Sequence, residues 1–148
     1  EVGNNAQLAR LLGIKVRRGL EPWNSKSVAM VGKLETPMSG PDFARLIAER
    51  LGREPLHCGD SGPELISSVA WCTGGGQSYI NQAAEQGIDA FISGEASEQT
   101  IHTAREMGMH FYAAGHHATE RYGVKALGEW LATVHGLEVT FIDIDNPV

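Results

Sequence analysis

The sequence SVAWCTGGGQS, residues 68–78, decides the fold, because it joins an apolar strand to a polar helix start through three glycines. The same order of short apolar strand, small residue, glycine and helix recurs at Ser93-Gly94 and at Ala114-Gly115. Three such units in series predict right-handed βαβ crossovers with their strands parallel in one sheet. We therefore predict an α/β fold with a mostly parallel sheet built from successive βαβ units, flanked by helices, with room for one antiparallel or edge strand.

Apolar spacing, helix caps and glycine stops predict the other elements. The expected helices cover residues 5–12, 41–51, 77–85, a stretch ending at 106, and 116–134; the expected strands cover residues 14–16, 28–34, 56–58, 68–73, 89–93, 110–114 and 137–144. The last helix carries an apolar stripe of Val124, Leu127, Trp130, Leu131 and Val134. Trp71 and Trp130 are predicted core residues, whereas Trp23 is expected in a loop.

Composition places the chain among ordinary globular proteins: 148 residues, 42% hydrophobic and 20% charged. No run approaches the ~20 apolar residues of a membrane span. A net charge of −6 without a basic run argues against direct duplex DNA binding through phosphates. The two cysteines, Cys58 and Cys72, form no CxxC motif and are too few for a disulfide framework or a cysteine-based zinc site. A reducing, cytoplasmic setting is the default.

The glycine turns should bring several polar side chains to one edge of the sheet, because ligands of open α/β sheets bind at the carboxyl ends of the strands. In the helix start GHHATE, residues 115–120, His116 and Glu120 are four apart and can face one ion. Mixed nitrogen and oxygen ligation suits first-row divalent metals better than Ca²⁺. His117 is three residues from Glu120, so spacing alone does not choose between the histidines. The alternative is a helix start in which Glu120 favours the positive end of the dipole.

Other polar positions are more ambiguous. The turn Gly74–Gly76 could present backbone N–H groups to an anion, or it could simply permit close strand–helix packing. Glu95 could partner the site or act in acid–base chemistry, but a charge at a helix entry is the simpler interpretation. His102 is expected at the surface or behind the site, and His57 beside Cys58 lacks a third partner for nucleophilic catalysis.

Several segments resemble one known family, and they are spread from the first residues to the last. They are GNNAQL at 3–8, AWCTGGGQS at 70–78, ISGE at 92–95, SEQTIH at 97–102, HFYAAGHHATER at 110–121 and VTFIDI at 139–144. On these segments the chain resembles the NGG-interacting-factor-three-like family, whose members are called GTP cyclohydrolase type 2 homologues and dinuclear-metal-centre hexameric proteins. The resemblance implies a two-lobed α/β protein of which residues 1–148 are the C-terminal portion, with the N-terminal lobe outside this chain.

The resemblance also implies a site with two divalent metal ions per intact subunit, of the zinc, iron or manganese class. The family's glycine-histidine-x-x-x-glutamate element matches Gly115, His116 and Glu120, which favours His116 over His117 as the ligand. The family's other ligands are a histidine pair in the first lobe and an aspartate expected just before Glu1. Two ligands cannot hold a dinuclear centre, so we expect an empty or poorly occupied site in residues 1–148.

The implied function is metal-dependent hydrolysis, with a nucleotide or purine ring as substrate; Glu95 or His117 could shuttle protons. Catalytic and substrate-binding residues stay unassigned. The alternative is a non-enzymatic hexameric metal-binding scaffold or regulator linked to DNA damage responses. A third hypothesis is a nucleotide-binding module using Gly74–Gly76 without metal. The intact protein is expected to be a cytoplasmic homohexamer without membrane contact.

Overall fold

The computed structural model describes residues 1–148 and contains five α-helices around one six-stranded sheet. The strands are β1 (Ile14–Gly19), β2 (Met30–Met38), β3 (Leu56–Cys58), β4 (Ile66–Cys72), β5 (Ala90–Ser93) and β6 (His110–Ala113). The helices are α1 (Asn4–Leu11), α2 (Gly40–Leu51), α3 (Ile80–Glu85), α4 (Glu98–Glu106) and α5 (His116–His135), and a 3₁₀ turn at Gln77–Tyr79 leads into α3. No helix combines the length and the hydropathy that crossing a membrane requires.

The α/β class is confirmed, but the prediction of a mostly parallel sheet is wrong. The strand order is β1-β2-β4-β5-β6-β3, and only the β4–β5 and β5–β6 pairs are parallel. The β1–β2, β2–β4 and β3–β6 pairs are antiparallel. The reason is connectivity: a parallel neighbour needs a crossover helix, which α3 and α4 provide, whereas a loop joins β1 directly to β2 as an antiparallel pair.

Both faces of the central strands are buried, and alternate residues serve different layers. On one face, Trp71 and Ile92 pack with α1 and α2, and Trp71 is fully buried as predicted. On the other face, Ala70 and Phe91 pack against α3 and α4. This arrangement explains why β4 and β5 read as continuous apolar runs rather than alternating ones.

The second half of α5 departs from the predicted core. Its buried residues are Ala118, Thr119 and Gly123, all in the first half, where the helix packs against α1. Beyond Gly123 no residue of α5 is buried. The predicted apolar stripe is therefore largely exposed, and Trp130 is 47% exposed. The prediction that Trp130 belongs to the core is wrong.

The predicted last strand, residues 137–144, is not a strand either. This segment finds no sheet edge and runs back along α5 instead. Phe141 lies under the Lys125 ammonium, and Asp143 binds Arg121 nearer the start of the helix. The sheet edge that an added strand would need at β6 is already taken by β3.

The three glycine turns do lie at one edge of the sheet, as predicted. The N–H of Gly94 donates to the Gly74 carbonyl at 2.9 Å, and the N–H of Gly115 donates to the Gly94 carbonyl at 2.9 Å. The turns are therefore hydrogen-bonded in a row past the ends of β4, β5 and β6. This row carries the side chains of the candidate site.

Candidate metal centre

Gly115 turns the chain from β6 into α5 and so sets the position of His116. Its φ is 97°, in a region that L side chains rarely adopt. A Cβ at this position would also lie 2.8 Å from the Arg53 side chain. The turn thus needs glycine for both its backbone and its close contact, and it places His116 at the first position of α5.

His116 lies between two carboxylates. Its Nδ1 is 2.5 Å from Glu95 Oε1, and its Nε2 is 3.1 Å from Glu120 Oε2. Glu95 comes from the turn after β5, while Glu120 lies one helical turn further along α5. All three side chains are about 40% exposed, so the cluster is open to solvent on one side.

The two carboxylates change the acidity of the imidazole. The hydrogen bond that His116 donates to Glu95 raises the pKa of His116, partial burial opposes this, and the charge of Glu120 adds to the increase. Without a cation, the two carboxylates therefore stabilise the imidazolium form relative to the neutral ring. A divalent cation would compete with that proton for the same position.

The His116–Glu120 pair fits one metal ion. Zinc–nitrogen and zinc–oxygen bonds are about 2.0–2.2 Å long, so two donors at octahedral or tetrahedral angles lie about 2.8–3.6 Å apart. The 3.1 Å between His116 Nε2 and Glu120 Oε2 falls in that range. Glu95 on the other nitrogen is the carboxylate partner that metal-bound histidines commonly have. No group of three or more His, Cys, Asp or Glu side chains is arranged to hold one ion, so the chain offers two donors.

His117 faces away from this pair although its spacing to Glu120 would also allow a shared face. Its Nε2 lies 2.8 Å from Asp143 Oδ1, and its backbone N–H donates to the Val148 oxygen at 3.0 Å. In the structure, His116 rather than His117 is therefore the histidine that lies beside Glu120. No local pattern indicates the contact with Asp143, because it joins residues 26 apart.

The glycine turn at 74–76 permits close packing and does not present free N–H groups at Gly74. The Gly74 N–H donates to Thr119 Oγ1 at 3.0 Å, and a Cβ on Gly74 would collide with Glu120 and His116. A Cβ on Gly75 would lie 3.6 Å from Glu95 Oε1. Two carboxylates lie beside this turn and would repel an anion. Close packing of the strand and the helix is therefore the better interpretation of the glycines.

The remaining histidines lie apart from the site. His102 is exposed and sits 3.9 Å from Glu98 on α4. His57 contacts His110, with 3.0 Å between Nε2 and Nδ1, rather than forming a pair with Cys58. Sequence reasoning missed the buried His110 contact, since the two histidines are 53 positions apart.

Two cavities border the site. One, of about 600 Å³, is lined by His116, His117 and Glu120 together with residues from the end of the chain, including Asn146 and Val148. The other, of about 500 Å³, is lined by Arg53 and Glu95 and again by Val148. A substrate bound beside His116 and Glu120 would occupy one of these two cavities.

Comparisons with known proteins agree on one family. Residues 1–147 match the sequence model of Duf34/NIF3 (NGG1p interacting factor 3). The chain is 61% identical over 147 residues to the GTP cyclohydrolase 1 type 2 homolog of Salmonella typhimurium, covering 99% of this chain and 58% of that protein. The chain thus spans less than two thirds of the length of the curated relatives it matches.

Solved structures show the same fold. The structure of protein ybgI, described as of unknown function, matches with a TM-score of 0.95 and 60% identity over 100% of this chain and 58% of that one. The structure of TTHA1606 from Thermus thermophilus matches with a TM-score of 0.84 and 26% identity over 100% of this chain and 57% of that one.

Proposed function

The chain belongs to the Duf34/NIF3 family, and from that premise we propose that His116 and Glu120 bind a divalent metal ion which serves hydrolysis of a nucleotide or purine ring. The observation that carries the proposal is the 3.1 Å approach of His116 Nε2 to Glu120 Oε2, with Glu95 on the other ring nitrogen. The name of the curated relatives, GTP cyclohydrolase 1 type 2 homolog, supports the substrate class. Because the chain spans 58% of those relatives, the activity belongs to the whole protein.

Each residue of the cluster has a distinct task in this proposal. Glu95 accepts the Nδ1 proton of His116, which fixes the tautomer and turns the Nε2 lone pair towards Glu120. Glu120 supplies a negative charge that offsets the charge of the cation. When bound, the cation would supply Lewis acidity to a substrate oxygen and lower the pKa of a water. Zinc, iron and manganese all accept this mixture of imidazole and carboxylate.

The proposed centre needs more ligands than residues 1–148 provide. Two donors leave a four-coordinate ion half-complete, and a second ion beside it would need a further set. We propose that the additional ligands come from outside these residues and that the complete site is dinuclear, in a homohexamer of the whole protein. For residues 1–148 alone, weak and incomplete metal binding follows.

A zinc titration of residues 1–148 tests the metal site. We expect His116→Ala to abolish specific binding, while the matched variant His117→Ala, which removes the neighbouring imidazole, leaves the zinc affinity within about threefold. Equal binding by wild type and His116→Ala would reject the site.

Hydrolysis is tested separately, with the whole protein loaded with metal and screened against nucleotides. Turnover that disappears on chelation and in His116→Ala supports the enzyme. Stoichiometric metal without turnover of any nucleotide would reject the hydrolase and favour the metal-binding scaffold instead.

A further inference from the structure

The last residues of the chain contact the first turns of α5, and the carboxylate of Asp143 makes two of these contacts. We call residues 143–148 the strap. Asp143 Oδ1 lies 2.8 Å from His117 Nε2, and Asp143 Oδ2 accepts a hydrogen bond from Arg121 Nη1 at 2.8 Å. The pKa of Asp143 is lowered, first by the hydrogen bond from His117 and also by Arg121, so this carboxylate is ionised at neutral pH.

The far end of the strap makes two more contacts through backbone oxygens. The Pro147 carbonyl accepts from Arg53 Nη1 at 2.5 Å. The Val148 oxygen accepts from the His117 N–H at 3.0 Å, which is one of the N–H groups that the start of a helix leaves without an intrahelical partner. The oxygens of the strap therefore contact two guanidinium groups, one imidazole and a backbone N–H in the first turn of the 20-residue helix α5.

Those donors form the set that proteins use for oxyanions. Guanidinium groups and helix N-termini both favour phosphate and carboxylate groups. Arg121 is held in place without the strap, because its Nη2 donates to the Leu51 carbonyl at 2.6 Å. Its Nη1 could exchange Asp143 for another oxygen while the guanidinium stays where it is.

The strap also lies between the two cavities that border His116, Glu120 and Glu95. Val148 lines both the cavity of about 600 Å³ beside His116 and Glu120 and the cavity of about 500 Å³ beside Arg53 and Glu95. Moving the strap away would join these cavities into one cleft that passes His116. Arg53 would then border one side of the cleft, and His117 and Arg121 the other.

The strap is held by polar contacts alone, and none of its residues is buried. Residues 143–148 belong to no helix or strand, and Ile144 is 76% exposed. Segments with few buried apolar contacts are the ones that open at the lowest free energy. The strap is thus a segment that a competing ligand can displace.

We propose that the strap occupies an oxyanion-binding surface formed by Arg53, His117, Arg121 and the N-terminus of α5, and that a phosphate-bearing ligand binds there by displacing it. This inference rests on the proposed function and deepens it, because it places the anionic part of the substrate beside His116 and Glu120. The strap then acts as an internal competitor: weakening its own contacts strengthens ligand binding.

Inorganic pyrophosphate is the probe, titrated calorimetrically into the metal-free chain and three variants. Asp143→Asn should tighten binding at least threefold, because it weakens the competitor. Arg53→Gln should weaken binding at least fivefold, because the strap loses only a contact with the neutral Pro147 carbonyl, whereas the ligand loses a charge-assisted contact. Asp145→Asn, which removes an equal charge two residues away, should change the affinity less than twofold. Absence of binding to both wild type and Asp143→Asn, or identical affinities for wild type and Arg53→Gln, would overturn the proposal.

Displacement is measured directly by the heteronuclear NOE of residues 143–148, which reports backbone motion on the picosecond-to-nanosecond timescale. The NOE should fall when pyrophosphate saturates the protein, and an unchanged NOE at saturation would overturn the proposal. Since no metal is present, these results are independent of the zinc titration. Zinc binding that depends on His116 with no pyrophosphate effect would reject the strap alone, and the reverse result would reject the metal site alone.

Discussion

His57 Nε2 lies 3.0 Å from His110 Nδ1, and His110 Nε2 lies 2.9 Å from the Pro63 carbonyl oxygen. The carbonyl only accepts, so the proton of His110 is on Nε2, and its Nδ1 accepts from His57 Nε2. His110 is 4% exposed, and a Cβ on Gly40, Gly59 or Gly62 would collide with it. This chain of hydrogen bonds joins the edge strand β3 to β6.

This pair predicts that stability falls in acid. Burial, with a smaller contribution from His110, lowers the pKa of His57. A histidine whose pKa is lowered on folding contributes stability that is fully present above its unfolded pKa of about 6.5 and is lost as the pH falls towards its folded pKa. Urea unfolding at about pH 7.5 and about pH 5.5 should therefore show a smaller acid loss for His57→Gln, which keeps a donor but does not titrate.

His116 should respond to pH in the opposite way to His57, because its pKa is raised on folding. Its contribution has the opposite sign: it is present below about pH 6.5 and is lost as the pH rises through the folded pKa. The difference between wild type and His57→Gln isolates the first effect. An equal acid loss in both proteins would show that His57 is not the titrating group.

Glu95→Gln should weaken zinc binding without unfolding the protein. The amide retains the shape of the side chain, but it removes the charge that accepts the Nδ1 proton of His116. Loss of such a partner typically costs about 10- to 100-fold in metal affinity. Isothermal titration with zinc checks this, with Glu98→Gln on the exposed start of α4 as the control. An affinity for Glu95→Gln equal to that of the control would remove Glu95 from the site.

Gly74→Ala and Gly75→Ala should differ although they are neighbours in sequence. Gly74 has a φ of 63°, and a Cβ there would collide with Glu120 and His116, whereas a Cβ on Gly75 has its nearest contact at 3.6 Å. We expect Gly74→Ala to lose zinc binding and to cost about 1 kcal/mol or more from the backbone alone. Gly75→Ala should change both measurements little. Similar zinc affinities for the two variants would contradict the close packing of this turn on the site.

Two tryptophans should respond very differently to truncation. Trp71 is fully buried and its Nε1 donates to the Asn5 carbonyl at 2.9 Å, so Trp71→Ala should cost about 3–5 kcal/mol of unfolding free energy. Trp130 is 47% exposed, and Trp130→Ala should cost well under about 1 kcal/mol. Urea titrations of the two variants at neutral pH check the contrast; comparable losses would mean that Trp130 is covered in solution.

Local signals allowed most elements to be predicted to within a few residues. The glycine stop at Gly52 and the start at Ser39, whose hydroxyl accepts from the Asp42 N–H, defined α2 from sequence alone. The row of glycine turns was also predictable, because two right-handed crossovers leave their strand ends at the same edge. Spacing within one helix placed Glu120 within reach of both His116 and His117, and the family resemblance favoured His116.

Other features depended on contacts between distant segments. The antiparallel pairing of β2 with β4 and of β3 with β6 carries no local pattern, since any exposed edge could have accepted either strand. An apolar stripe on α5 predicts burial only if another element covers it, and most of this stripe stays exposed. Residues 137–144 have strand-like residues but pair with no strand of the sheet, and they follow α5 instead.

By itself the sequence determined the helices, the strands β4, β5 and β6 and the position of Glu120 within one helical turn of both His116 and His117, because each depends on residues within a turn or a crossover. Only the tertiary structure decided that Glu95 holds His116 in place and that Asp143 returns to His117 and Arg121. Those contacts join residues 21 to 26 positions apart, and their geometry arises only when the sheet edge and the end of the chain are packed against the same helix start.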